Sequence, residues 1–146
     1  MSGIKGKNTK PELMIRSALH GRGYRYVLHD RRLPGRPDIV FPKRNAVIEV
    51  QGCFWHGHAC HLFKWPKSST EFWHEKISAN VARDLRNRDA LMGAGWRVAE
   101  VWECQMRGKE MRPIGALTEQ LAQFLEGNSR RLVIGADKRI EAPKDH

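Results

Sequence analysis

What this 146-residue chain lacks narrows its class before any motif is read. It has no apolar run of the roughly 20 residues that would span a bilayer, and its opening MSGIKGKNTK has no apolar stretch of the secretory kind. A cytosolic protein with no membrane partner is therefore expected. Cysteine is scarce: Cys53, Cys60 and Cys104 are the three. An odd number without an export signal argues against a disulfide framework and leaves metal ligation or buried thiols. There is no internal repeat and no low-complexity segment. No acidic tail offsets the basic residues either: 26 Lys/Arg face 16 Asp/Glu, for a net charge of +10 and a pI near 10.0. The excess is uneven, with eleven Lys/Arg against four Asp/Glu in the first fifty residues. Such a surface attracts a polyanion, nucleic acid ahead of an acidic membrane. The length and the 40% hydrophobic share fit one soluble domain with a real core. We place that domain at residues 1–126 and expect a basic, loosely ordered tail over 127–146.

Local patterns give the element order. Thr9-x-x-Glu12 with Pro11 in the first turn is a helix start, and the helix should stop at Gly21-Arg22-Gly23. Tyr24 to Leu28 alternates as a strand. Asp38–Phe41 and Ala46–Val50 form a hairpin about Lys43-Arg44-Asn45. A long helix, about Glu71 to Ala94, starts from Ser/Thr caps and carries Trp73, Ile77, Asn80, Val81 and Asp84 on one face. A strand at Trp96–Trp102 and a helix over about Pro113–Leu125 follow. The order α-β-β-β-α-β-α predicts a mixed α/β sheet flanked by helices.

Three constellations carry chemistry. In the first, Pro37-Asp38 is followed by Glu49-Val50-Gln51. Period-2 geometry puts Glu49 and Gln51 on one face of their strand, and strand pairing can bring Asp38 beside Glu49. Two carboxylates facing a phosphate call for a cation, usually Mg²⁺. The pattern has the form of the PD-(D/E)xK nuclease signature with Gln in the Lys position. In the second, Cys53-x4-His58-x-Cys60 with Cys104 beyond a strand end suits a closed, structural Zn²⁺ site, with His56 and His61 as alternative ligands. In the third, Phe54, Trp55 and Trp73 lie around those ligands and suit stacking on bases or wedging between base steps. Phe72 is assigned to core packing. His56 is placed to act as a base or a phosphate contact.

At GRPDIVFP, GCFWHGHAC, TEFW, ARD and GWRVAEVWEC together, and at the GKNTKPE start, the chain resembles the very-short-patch repair (Vsr-type) DNA mismatch endonucleases. The resemblance covers about residues 7–108 with near-constant spacing. It implies a restriction-endonuclease-like fold, catalytic Mg²⁺, a structural zinc, and nicking of duplex DNA 5′ of the thymine in a T:G mismatch. By position, Asp38 and the backbone carbonyl of Val50 would ligate Mg²⁺. His56 would be the general base or a phosphate contact, supported by Asp84. Glu12 would reach the site through a metal-bound water. Cys53, His58, Cys60 and Cys104 would hold zinc, and Phe54, Trp55 and Trp73 would intercalate. Lys5, Lys7, Arg36 and Lys64 are candidate DNA contacts.

The chain departs from the family pattern at Glu49, usually apolar there, and at Gln51, usually His. Glu49 could thus serve as a further ligand, and both residues join the candidate catalytic set. The family also usually has an N-terminal extension that enters the minor groove. The expected protein is a bacterial, cytoplasmic, nucleoid-associated monomer acting on T:G-mismatched double-stranded DNA, with mismatch-repair proteins as candidate partners. The rival readings are a restriction-like nuclease without mismatch preference and a non-catalytic zinc protein that binds DNA.

Overall fold

A computed structural model describes residues 9–140. Thr9 caps α1 (Lys10–Gly21), its hydroxyl accepting the Glu12 N–H at 3.3 Å, and Ile15 and Leu19 on the inner face are fully buried. The strand expected at residues 24–28 shortens to β1 (Val27–Leu28). Tyr24 and Tyr26 leave the ladder because their rings pack edge-on against Phe41, with centroids 6.2 and 5.8 Å away.

The expected hairpin forms. β2 (Ile39–Phe41) and β3 (Ala46–Gln51) pair antiparallel, with Ile39 opposite Ile48 and Phe41 opposite Ala46. Asn45 closes the turn in the left-handed region at φ 50°, which Asn tolerates better than most residues. α2 spans Thr70–Gly93, but its start differs from expectation: Ser69 sits at φ 54° and its side chain makes no capping hydrogen bond. β4 (Arg97–Trp102) runs straight into a short 3₁₀ turn, Glu103–Gln105, which carries Cys104, and α3 spans Ile114–Glu126.

The largest correction lies at the C-terminal end. The segment from Gly127, expected to be a loose tail, forms β5 (Arg131–Ile134), which pairs parallel with β4. Its four residues, one Arg followed by three apolar side chains, are too few to show a period. What holds them is the free edge of β4, which offers a ladder of backbone partners, with Ile134 driven into the core at 1% exposure. The domain therefore runs past residue 126.

The sheet order is β1-β2-β3-β4-β5, antiparallel across the first three strands and parallel across the last three. α1 and α3 cover one face, where Ile15, Leu19, Leu117 and Leu121 meet Ile39, Ile48, Ala99 and Val101. α2 covers the other face, with Leu91 against Val40, Val47 and Val98. The expected mixed α/β sheet flanked by helices is present. No helix among the described residues is long and apolar enough to cross a membrane.

Candidate functional site

The period-2 geometry of β3 sorts its side chains. Val47, Glu49 and Gln51 share the α2 face, while Ile48 and Val50 turn toward α1 and α3. Asp38 sits one step before β2, where its carboxylate accepts the Val50 N–H at 2.8 Å. Burial pushes the Asp38 carboxyl well above its usual range, the Val50 N–H opposes this, and the charges of Glu12 and Glu49 push it up further. Glu12, 1% exposed, reaches this point from α1 and is held by Arg16 at 3.0 Å and His29 Nε2 at 2.7 Å. Glu12, His29 and Asp38 bring their ligand atoms within 4.8 Å of one another. The buried Glu12 and half-buried Asp38 carboxylates, gathered this closely, repel unless a cation lies between them, so the donor set fits a divalent metal.

Glu49 lies outside that trio. Its carboxylate accepts from Gln51 Nε2 at 3.0 Å. Burial pushes its pKa up to about 7, and the charges of Glu100 and Asp84 add to the rise. The register explains the neighbourhood, since Glu49 on β3 stands beside Glu100 on β4. Glu100 in turn is matched by Arg131 at 2.9 Å, Arg88 at 3.7 Å and Arg139 at 3.8 Å.

His56 Nδ1 donates to Asp84 Oδ2 at 2.6 Å, an acid that α2 delivers from its inward stripe. The same oxygen accepts from Arg139 at 2.9 Å. Burial pushes the Asp84 carboxyl up, but His56 and Arg139 together outweigh it and hold it below the usual range. With Nδ1 committed to a carboxylate, His56 Nε2 is left to accept a proton or contact a ligand.

His56 opens on a groove of about 640 Å³, lined also by Val50, Gln51, Trp55, Trp73, Lys76 and Arg83. Gln51 is 4% exposed, yet its Oε1 has no partner among the described residues, so the groove wall carries an orphaned acceptor. The rings do not arrange themselves as expected. Trp55 and Trp73 line the groove, their centroids 5.7 Å apart, while Phe54 sits behind them, stacked on Phe63 at 5.6 Å. Phe72, expected in the core, is 57% exposed and lines the same groove. Its position at the start of α2 faces it away from the sheet. Arg36 and Lys64 are on the surface, and Lys5 and Lys7 lie outside the described residues.

Beside the groove, Cys53, His58, Cys60 and Cys104 bring their ligand atoms within 4.8 Å of one another. His61, an alternative on spacing alone, is outside this group, and His56 is engaged by Asp84. The spacing within the group can be tested against a metal. His58 Nδ1 lies 3.5 Å from Cys53 Sγ and 3.6 Å from Cys104 Sγ. A tetrahedral zinc with sulfur at about 2.3 Å and nitrogen at about 2.0–2.1 Å sets that edge at roughly 3.5 Å. His58 Nε2 donates to the Ala136 carbonyl at 2.7 Å, which fixes the tautomer and leaves Nδ1 as the ligand atom. The backbone amides of Cys104 and Leu62 point at Cys53 Sγ and Cys60 Sγ, at 3.3 and 3.4 Å, as donors to thiolates do. Burial pushes the Cys53 and Cys104 thiols up, so a bound cation is what would keep them ionised. Gly57 makes the turn between the two centres. It sits at φ +62°, and a Cβ there would meet Val81 at 2.9 Å, so no side chain fits.

Sequence reasoning missed His29, Glu100 and Arg139. His29 occupies a loop position at φ 47° with no ligand spacing to mark it. The other two become visible only once β4 and the C-terminal segment are placed.

Two carboxylates and a histidine close enough to share a divalent metal, a His–Asp pair, a ring-lined groove with cationic side chains and a closed Cys/His cluster together have the character of a nuclease. Comparison with known proteins agrees. The family model described as DNA mismatch endonuclease Vsr matches residues 1–62. DNA mismatch endonuclease Vsr of Escherichia coli K12 is 43% identical over 146 residues, covering 100% of this chain and 90% of its own length. The type II nicking enzyme V.XorIIP of Xanthomonas oryzae pv. oryzae is 50% identical over 126 residues, covering 86% of this chain and 89% of its own. The type II nicking enzyme V.NmeAIP of Neisseria meningitidis is 45% identical over 106 residues, 73% of this chain and 76% of its own. The chain belongs to the Vsr family of DNA mismatch-repair endonucleases, and is a hydrolase acting on DNA.

Proposed function

We propose that this chain is a Mg²⁺-dependent, zinc-stabilised monomer that nicks one strand of double-stranded DNA beside a T:G mismatch. The observation that carries the reading is the shared groove: the Asp84-bound His56 and the Trp55 and Trp73 rings line one cavity with Val50, whose amide binds Asp38. Chemistry and base stacking can thus act on the same stretch of duplex. The Pro37-Asp38 and Glu49-Val50-Gln51 pattern, set on a mixed sheet with its hairpin at one side, supports a restriction-endonuclease-like fold.

Asp38 and the Val50 carbonyl would hold Mg²⁺, with Glu12 and His29 beside them. The ion would supply charge neutralisation at the phosphate. His56 Nε2 takes the proton of the attacking water, and Asp84 keeps the imidazole oriented and stabilises the charge it gains. The water oxygen bonds to phosphorus as the bond to the 3′-oxygen breaks, leaving a 5′-phosphate and a 3′-hydroxyl. Lys76 and Arg83 on the groove wall suit the phosphate charge, and Gln51 Oε1 offers an acceptor for a water or a base N–H. Trp55 and Trp73, with Phe72 in place of the set-back Phe54, would insert beside the mismatch, where an unpaired step costs least to open. Cys53, His58, Cys60 and Cys104 would hold zinc and fix the loop that carries Trp55 and His56.

The test is single-turnover nicking of matched 5′-labelled duplexes carrying T:G or T:A at one position, with Mg²⁺ added. Faster cutting of the T:G strand on the 5′ side of the thymine supports the reading. Equal rates would leave a restriction-like nuclease, and no cutting with any divalent ion would leave a DNA-binding protein.

A further inference from the structure

The segment from β5 to residue 140 does more than extend the sheet. It passes over the loop that joins the two centres and touches each of them. His58 pairs with Arg139 in an isolated antiparallel bridge. The Ala59 N–H donates to the Lys138 carbonyl at 3.0 Å, and the Ile140 N–H donates to the Gly57 carbonyl at 2.7 Å. The Ala136 carbonyl accepts from His58 Nε2 at 2.7 Å. Three consecutive loop positions around the His–Cys cluster, Gly57 to Ala59, therefore depend on a segment more than seventy residues away in sequence.

Arg139 makes the most pointed of these contacts. Its Nη1 donates to the His56 backbone carbonyl and to Asp84 Oδ2, both at 2.9 Å. Its guanidinium lies 4.9 Å from the Trp102 ring centre, over a ring that stacks at 4.1 Å on His58. Nη2 lies 3.8 Å from Glu100. The side chain is 13% exposed, so these contacts are made largely out of water, where a planar fork with fixed donor directions holds its acceptors most firmly. One guanidinium thus ties both the backbone of His56 and the carboxylate that orients its ring. Without it, among the described residues, Asp84 would keep His56 alone and the His56 carbonyl would lose its donor, leaving only the His56 N–H bond to the Gly52 carbonyl on that backbone.

We infer that Arg139 is a positioning residue for the His56–Asp84 pair, and that residues 131–140 form a clamp holding the cutting centre and the Cys/His cluster in register. Arg139 itself does not line the groove. Its effect on cutting runs through the orientation of His56, and that part of the inference rests on the role proposed for His56 above. The clamp itself does not, because its contacts exist whether or not His56 takes a proton.

The experiment uses the full chain, loaded with zinc, as Arg139→Ala and Arg139→Lys. Three quantities are read: the kcat and KM for a T:G duplex, the zinc content, and hydrogen exchange of the peptide covering residues 56–60. Arg139→Ala should lower kcat by about 100-fold, the scale expected for a misplaced catalytic group, with KM within about threefold. Exchange over 56–60 should rise. Arg139→Lys keeps the charge and the aliphatic stem, and should regain about tenfold of the lost kcat. If Arg139→Ala loses zinc or melts early, the Arg139→Lys protein at full zinc content carries the test, with a kcat still about tenfold below the unaltered chain. A kcat within threefold of the unaltered chain in both variants would overturn the positioning role, and unchanged exchange over 56–60 would overturn the clamp. Failure of the unaltered chain to nick T:G DNA would sink the functional reading instead, leaving the exchange measurement to decide the clamp.

Discussion

The Cys/His cluster and the cutting groove lie side by side on one loop, yet they are built in opposite ways. In the cluster every ligand atom faces another, the histidine tautomer is fixed by a backbone carbonyl, and N–H groups point at the sulfurs. Three of the four residues are buried and only Cys60 is partly exposed, an enclosure that suits a structural site. The groove is unfinished by comparison. Among the described residues Gln51 Oε1 has no partner and His56 Nε2 is uncommitted, Phe72 is 57% exposed, and behind Val50 the charges of Glu12 and Glu49 push the Asp38 carboxyl up. The closed region holds shape. The open region stores the unsatisfied charge and apolar surface that a ligand would satisfy.

Breaking the closed region should have the larger effect. Cys60→Ala removes one of the four proposed ligands, and the chain should lose zinc and melt far below the unaltered protein or fail to fold, as followed by elemental analysis and circular dichroism. A zinc-free protein of unchanged melting temperature would contradict the structural assignment. The groove should give the reverse pattern. His56→Ala, read by single-turnover kinetics, should cut about 100- to 10,000-fold more slowly, the range typical of a lost general base, while zinc and melting temperature hold. Next come the rings. Trp55→Ala and Trp73→Ala should each weaken binding to T:G duplex by about 1–3 kcal/mol, the scale of one lost base stack, as measured by anisotropy at a fixed salt concentration. Smallest is Phe72→Ala. Its stability change should stay within about 0.5 kcal/mol because the ring is exposed, so denaturant unfolding should barely move while DNA affinity falls. A clear drop in stability there would return Phe72 to the core.

The same contrast explains what could be read from the sequence. The Cys/His ligands stand at short spacings, so three of the four announce themselves locally, and Cys104 follows from its place at a strand end. The helix start at Thr9 and the hairpin about Asn45 are equally local, set by capping and turn chemistry. The groove and the acids beside it are assembled from parts that share no spacing. His29 owes its place to a left-handed loop, and Glu12 and Asp38 meet only when α1 packs on the sheet. β5 has no period to betray it, because its partner is the edge of β4 rather than a neighbouring run of chain. Arg139 reads as one basic residue among many until that strand is placed. Glu49 was expected beside Asp38 from strand pairing. The pairing is correct, but the side chain turns to Gln51 and its carboxylate lies near Glu100, a neighbour supplied by β4.

The central claim is that the two regions have separable duties, holding and cutting. Asp38→Asn tests it most directly, because it keeps the shape of the side chain and removes the charge. Nicking of the T:G duplex should fall by at least about 1,000-fold, the loss expected when a catalytic metal is no longer held, in protein that retains its full zinc content and its melting temperature. Cleavage within tenfold of the unaltered chain, or loss of zinc together with cleavage, would contradict the account.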